Sequence, residues 1–161
     1  NGADAVGFPK PSREAGWGRV NISSSLPVDQ TDLFFADEGR GLRTNEQKTY
    51  RLFAAAGTPL RLTLVWSDQP GPTFPTLGKK LVNDLDVVLR SPSGKVYTSD
   101  DHLNNVEHLE ILQPEAGWHT VEVKGYNVPV GRQDYAVVAT YDNAMSHVMP
   151  QLCQLPNGRS C

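Results

Sequence analysis

Residues 60–66 read LRLTLVW, and this stretch decides the fold class. Leu60, Leu62, Leu64 and Trp66 fall on one face of an extended chain, Arg61 and Thr63 on the other. Successive side chains of a strand point to opposite faces, so this alternation is the signature of a half-buried strand. The pattern recurs downstream. In LDVVL (85–89) Leu85, Val87 and Leu89 point inward, while Asp84, Asp86 and Arg90 point outward. In YAVVATY (135–141) Tyr135, Val137, Ala139 and Tyr141 share a face. Turn signals fall between such runs at Ala56–Pro59, Ser91–Gly94, Pro114–Gly117 and Pro129–Gly131. Gly94 suits a position of positive φ in the hairpin SPSGKVY.

Eight strands are predicted on this basis: Asp32–Asp37, Gln47–Ala54, Pro59–Trp66, Asp84–Ser91, Lys95–Thr98, Val106–Leu112, Trp118–Tyr126 and Gln133–Tyr141. Short strands at this spacing predict an all-β, antiparallel sandwich or barrel. A short helix is predicted around Trp17–Asn21, within an N-terminal segment that is helical or coil. The chain divides into a Gly-, Pro- and Ser-rich segment (1–28), the strand-rich region (29–142) and an irregular tail (143–161).

The 161 residues are enough for one domain with its own core, and 39% hydrophobic against 20% charged residues mark a globular chain. A net charge of -3 leaves no basic footprint for nucleic acid or for a membrane surface. No apolar run reaches the roughly 18 residues that a spanning helix needs. Cys153 and Cys161 lie in the tail with seven residues between them, around an Asn157-Gly158 turn signal. A small disulfide loop is expected, which fits an oxidising compartment; two free thiols are the alternative.

Asp84 and Asp86 raise a question of charge. Two residues apart on a strand, they share a face at about 6–7 Å. Asn83 precedes them, and SDDHLNNVE (99–107) supplies Asp100, Asp101, Asn104, Asn105 and Glu107. Calcium takes six to eight hard oxygen ligands, and carboxylates and Asn amides are of that kind. Asn83, Asp84, Asp86, Asn104, Asn105 and Glu107 are therefore the candidate calcium ligands. Two other readings stand beside this one. The aspartates are solvated or paired with Arg90, Lys79 or Lys80, and the asparagines satisfy turn backbone. The long connection Ser67–Lys80, with three prolines and two glycines, serves either function or the closure of one barrel end.

Nothing in the sequence marks a nucleophile: no GxSxG elbow is present. His108 and His119 fall at ordinary sheet positions. Trp66 and Trp118 are expected to pack in the core, a carbohydrate platform being the alternative.

Several motifs in order resemble a known arrangement. NGADAVG…AGWGRVNISSSL (1–26) resembles the end of a subtilisin-like serine protease catalytic domain. LVWSDQPG (64–71), LVNDLDVVLRSPSGKVY (81–97) and residues 104–141 resemble the C-terminal β-domain of the subtilases that include the oxidation-resistant alkaline proteases of bacilli. The resemblance implies a jelly-roll barrel that follows the protease domain, comparable in placement to the accessory barrel of the proprotein convertases. It also implies a calcium-binding, noncatalytic role, because the Asp, His and Ser motifs of the family are not in this chain. The expected partner is the catalytic domain of the same parent protein, and the expected location is secreted or extracellular. The expected role is to stabilise that domain and to influence substrate access. The competing expectations are a free-standing jelly-roll module for glycan or protein partners and a small self-sufficient enzyme.

Overall fold

The computed structural model describes residues 2–23, 26, 32–74 and 78–141. The tail, with Cys153, Cys161 and the expected disulfide, lies outside the described residues. Eight strands form: β1 (Asp32–Leu42), β2 (Gln47–Ala54), β3 (Leu60–Val65), β4 (Asp84–Arg90), β5 (Val96–Ser99), β6 (Val106–Ile111), β7 (Gly117–Asn127) and β8 (Gln133–Tyr141). They build two four-stranded antiparallel sheets, ordered β1-β8-β3-β6 and β2-β7-β4-β5. The order β1-β8-β3-β6 facing β2-β7-β4-β5 is the strand order of a jelly roll.

The alternation read from the sequence faces the core as expected. Leu60, Leu62 and Leu64 of β3 are fully buried against Leu85, Val87 and Leu89 of β4, with Val137 and Ala139 of β8. At about 25 cal/mol per Å² of buried apolar surface this layer is the principal stabilising term. Across the core the hydroxyls of Tyr50 (β2) and Tyr135 (β8) meet at 2.9 Å, and burial pushes the Tyr135 phenol upward. Trp66 is buried and its indole N–H donates to the Asn83 carbonyl at 2.9 Å. Gly94 has φ 86° and closes its turn by donating to Ser91 O.

Three expectations are corrected. Residues 17–21 are not helical: the segment folds back on itself, with Asp4 bridging to Arg19 and Ser12 to Gly16. The two backbone bonds between Asp4 and Arg19 take groups that a helix would have used internally. The first strand runs on to Leu42 rather than ending at Asp37, because an irregularity between Glu38 and Leu42 lets it continue past Gly39 and Gly41. Trp118 is not in the core. It stands on the outer face of β7, 49% exposed, edge-on to Phe53 and under the Arg51 guanidinium.

Candidate metal centre

The two aspartates sit where β4 begins. An irregular register at Asp84/Leu85 marks that start, and the loop before it is pinned there. Asp68 accepts the backbone N–H groups of Val82 and Asn83 at 2.6 and 2.8 Å. Asn83 is buried and fully engaged: its amide nitrogen donates to Val130 O and Gln133 Oε1, and its oxygen accepts from Val130 N–H. The Asn83 side chain therefore ties the start of β4 to the approach of β8.

Asp84 and Asp86 leave the core on the same side, as their spacing predicts, but water does not reach Asp84, which is fully buried. The turn between β5 and β6 covers it with His102, whose ring stacks on Tyr126 of β7 at 4.2 Å. One ligand atom from each of Asp84, Asp86 and His102 lies within 4.8 Å of the others. His102 Nδ1 is 3.1 Å from Asp84 Oδ2 and 3.8 Å from Asp86 Oδ1, without the angle of a hydrogen bond. Lys79 reaches Asp84 Oδ2 at 2.9 Å. The alternative that paired Asp84 with Lys79 is thus present in the structure, yet it uses only one oxygen. Asp84 Oδ1 and Asp86 Oδ1 are buried with no hydrogen-bond partner.

Glu107 of β6 faces inward beside this group. It is fully buried, accepts from the Ser99 hydroxyl through one oxygen, and leaves Oε1 unpartnered. Burial pushes the Glu107 carboxyl up to about 7 against the lowering hydrogen bonds of Ser99 and of the Asp101 backbone, and the charges of Asp101 and Asp86 add to the push. Burial likewise raises Asp86 to about 6; Asp84 and Asp100 raise it further, while His102 and Lys124 oppose them. Asn104 donates to Asp101, and Asn105 brackets Trp66 by donating to its carbonyl at 2.6 Å and accepting its N–H. Of the residues singled out from the sequence, Asp84 and Asp86 come together and Glu107 is close enough to feel Asp86. The Asn83 side chain has both its amide nitrogen and its oxygen engaged, whereas Asn104 and Asn105 donate through their amide nitrogens. His102 was not singled out. Its only sequence signal is its place among the acids of SDDHLNNVE.

The donor set fits a hard cation. Unpartnered, buried carboxylate oxygens are costly unless a proton or a positive charge meets them, and those of Asp84 and Asp86 come together here, with that of Glu107 farther off. Oxygens of this kind suit calcium, whereas the imidazole is a ligand more typical of transition metals.

The chain is similar to part of two serine protease/ABC transporter proteins. Both are from Dictyostelium discoideum. Serine protease/ABC transporter B family protein tagB is 33% identical over 154 residues, covering 85% of this chain and 8% of that protein. The tagA protein is 29% identical over 113 residues, covering 60% of this chain and 6% of that protein. The chain therefore spans less than a tenth of either relative. No family model matches. Among solved structures, Bacillus licheniformis lipase BlEst2 in its propeptide form superposes with a TM-score of 0.42 at 13% identity, over 80% of this chain and 25% of that one. The Aeromonas hydrophila periplasmic lysozyme inhibitor PliG gives 0.40 at 12% identity, over 71% and 87%.

Proposed function

We propose that this chain is the noncatalytic C-terminal barrel of a secreted subtilisin-like serine endopeptidase, and that it stabilises the catalytic domain and holds calcium at Asp84 and Asp86, beside Glu107. The observation that carries the reading is the 33% identity to the tagB protein, whose name includes a serine protease. That match leaves only 15% of the chain outside it, so it necessarily runs through most of the barrel. The N-terminal motifs that resemble the close of a catalytic domain support the same placement.

Calcium, when bound, supplies the positive charge that the carboxylates lack. The chain's own residues do the rest. Asp68 and Asn83 fix the start of β4, the stacked His102 closes the pocket over Asp84, and Ser99 orients Glu107. A ligand bound only by the folded state stabilises it by about 2.7 kcal/mol at a hundredfold excess over Kd. For a domain of this size that is on the order of 10 °C in Tm.

Two measurements test the proposal. Calcium titration of the chelated chain, followed by calorimetry, should raise Tm by that order; a melting curve indifferent to calcium would remove the metal. Deleting residues 32–141 from the natural polypeptide should lower the temperature at which its peptidase activity is lost. Equal inactivation curves would remove the stabilising role.

A glycan-binding reading rests on a separate observation, the half-exposed Trp118 with Phe53 and Arg51 around it. Binding on a glycan array that disappears in Trp118→Ala would favour it over the accessory role.

A further inference from the structure

Among the described residues one group of three metal-ligating side chains occurs: Asp84, Asp86 and His102. Calcium, as proposed, draws on the two carboxylates and leaves the histidine without a role. Two observations set the group apart from an ordinary acidic cluster. One atom of each residue, Asp84 Oδ1, Asp86 Oδ1 and His102 Nδ1, is buried and has no hydrogen-bond partner. Asp84 is moreover fully buried as a residue, so its unpartnered oxygen is aimed into the group and away from bulk water.

The histidine is held in place from two sides. Its ring stacks on Tyr126, with centroids 4.2 Å apart and planes at 14°. Its chain neighbour Asp101 braces the turn, accepting the Leu103 N–H at 2.8 Å and the Asn104 side-chain amide. His102 Nδ1 is thereby fixed 3.1 Å from Asp84 Oδ2 and 3.8 Å from Asp86 Oδ1, with a hydrogen bond to neither. A tetrahedral ion with bonds of about 2.0–2.1 Å sets its ligand atoms roughly 3.3 Å apart, and the two distances bracket that value. Calcium asks for about six to eight oxygens. Few are at hand, because Asn83 is engaged at both ends of its amide and Lys79 holds Asp84 Oδ2. An imidazole nitrogen is foreign to a calcium shell and ordinary in a zinc shell.

We infer that Asp84, Asp86 and His102 Nδ1 form a three-ligand site for a divalent ion of the zinc class, with water completing the shell. This goes beyond the calcium reading and does not depend on the protease reading. The two aspartates are shared by both ions, and His102 decides in favour of zinc. Three protein ligands and one water make the shell of an open zinc site. Binding requires one local change: the Lys79 ammonium, on a side chain 39% exposed, leaves Asp84 Oδ2 for solvent. The charges then balance, a divalent ion meeting two carboxylates and a neutral imidazole. Tyr126 serves as the positioning residue through its stack on His102.

Isothermal titration of the chelated 161-residue chain with zinc chloride tests the site. One equivalent should bind, and saturation with calcium beforehand should weaken it several-fold. His102→Gln should weaken zinc by more than the roughly 10–100-fold that loss of an outer-shell partner costs. The rise of Tm with calcium should persist in that variant. Cys153→Ser with Cys161→Ser, which removes the tail thiols, should leave the zinc equivalent bound. Cobalt(II) in place of zinc should give visible d–d bands without a near-ultraviolet thiolate band. In the parent chain, one equivalent of zinc should shift the nitrogen resonances of the His102 imidazole, a readout that does not depend on how the variants fold. Unchanged zinc affinity in His102→Gln, loss of binding in the cysteine variant, or His102 resonances indifferent to zinc would each overturn the inference. The calcium reading fails separately, if calcium leaves Tm unmoved while zinc still binds.

Discussion

A buried carboxylate with an unpartnered oxygen must keep its proton or meet a cation, and Glu107 is in that position. Its carboxyl is raised from the usual 4.5 to about 7, so between those values the folded protein holds a proton that the unfolded chain has released. The stability that Glu107 contributes is complete below pH 4.5 and is lost as pH rises through 7. At 1.36 kcal/mol per pH unit the loss is on the order of 3 kcal/mol. Glu107→Gln keeps the shape and the Ser99 contact and removes the charge. In chelator at pH 8 this variant should melt higher than the parent, and it should respond less to calcium; a lower Tm in chelator would mean that the carboxylate is already compensated. Asp84→Asn should act differently. Lys79 and His102 converge on Asp84, so the variant should melt lower than the parent in chelator and gain little from calcium. Differential scanning calorimetry of the pair, with and without calcium, separates a site that merely tolerates its carboxylates from one that needs them. The spacing of Asp84 and Asp86 was enough to place them on one face. That Asp84 is dry, and that His102 closes over it, depends on a stack against Tyr126 in another strand, which no local pattern encodes. Asn83 looked like a ligand for the same reason: its amide partners, Val130 and Gln133, are 47 and 50 residues away.

Strands were legible where their pattern was unbroken. β2 and β8 run as the alternation predicts, from Gln47 to Ala54 and from Gln133 to Tyr141. β1 was not legible past Asp37, because Glu38-Gly39-Arg40-Gly41 has no period and reads as a turn. It stays in the sheet because Gly41 takes φ 62° and its backbone passes against Gln133. A Cβ at Gly41 would lie 2.6 Å from the Gln133 carbonyl carbon and oxygen, whereas one at Gly39 would meet nothing within 4 Å. Gly41→Ala should therefore cost at least about 1–3 kcal/mol, from strain at a left-handed position and the displaced β8 backbone. Gly39→Ala should be near neutral. Urea unfolding followed by Trp fluorescence would measure both, and equal midpoints for the two variants would show that the bend does not depend on Gly41. Trp118 is aromatic, which favours a core position, but the parity of β7 that buries His119 and Val121 turns it outward.

For the molecule as a whole, two sets of buried groups oppose each other in pH. Burial lowers the imidazoles of His108 and His119, so each stays neutral in the fold while the unfolded chain takes up a proton below about pH 6.5. Their contribution is lost as pH falls below that value. Asp86 and Glu107 act in the opposite sense, losing stability as pH rises toward about 6 and about 7. Below pH 6 the two slopes offset one another. Above about 6.5 the histidines are neutral in both states and only the acids still change, so the metal-free protein should lose stability between pH 6 and 7.5. A cation at Asp84 and Asp86 reduces that loss, because it binds their ionised carboxylates in competition with protons and its charge favours the ionised form of Glu107 nearby. Tm recorded from pH 5 to 8 should therefore fall above pH 6 in chelator and hold level or rise in millimolar calcium. The two curves should converge at pH 5, where protons displace the metal. Parallel curves across the whole range would place any calcium effect elsewhere on the surface and leave Lys79 as the counter-charge of Asp84.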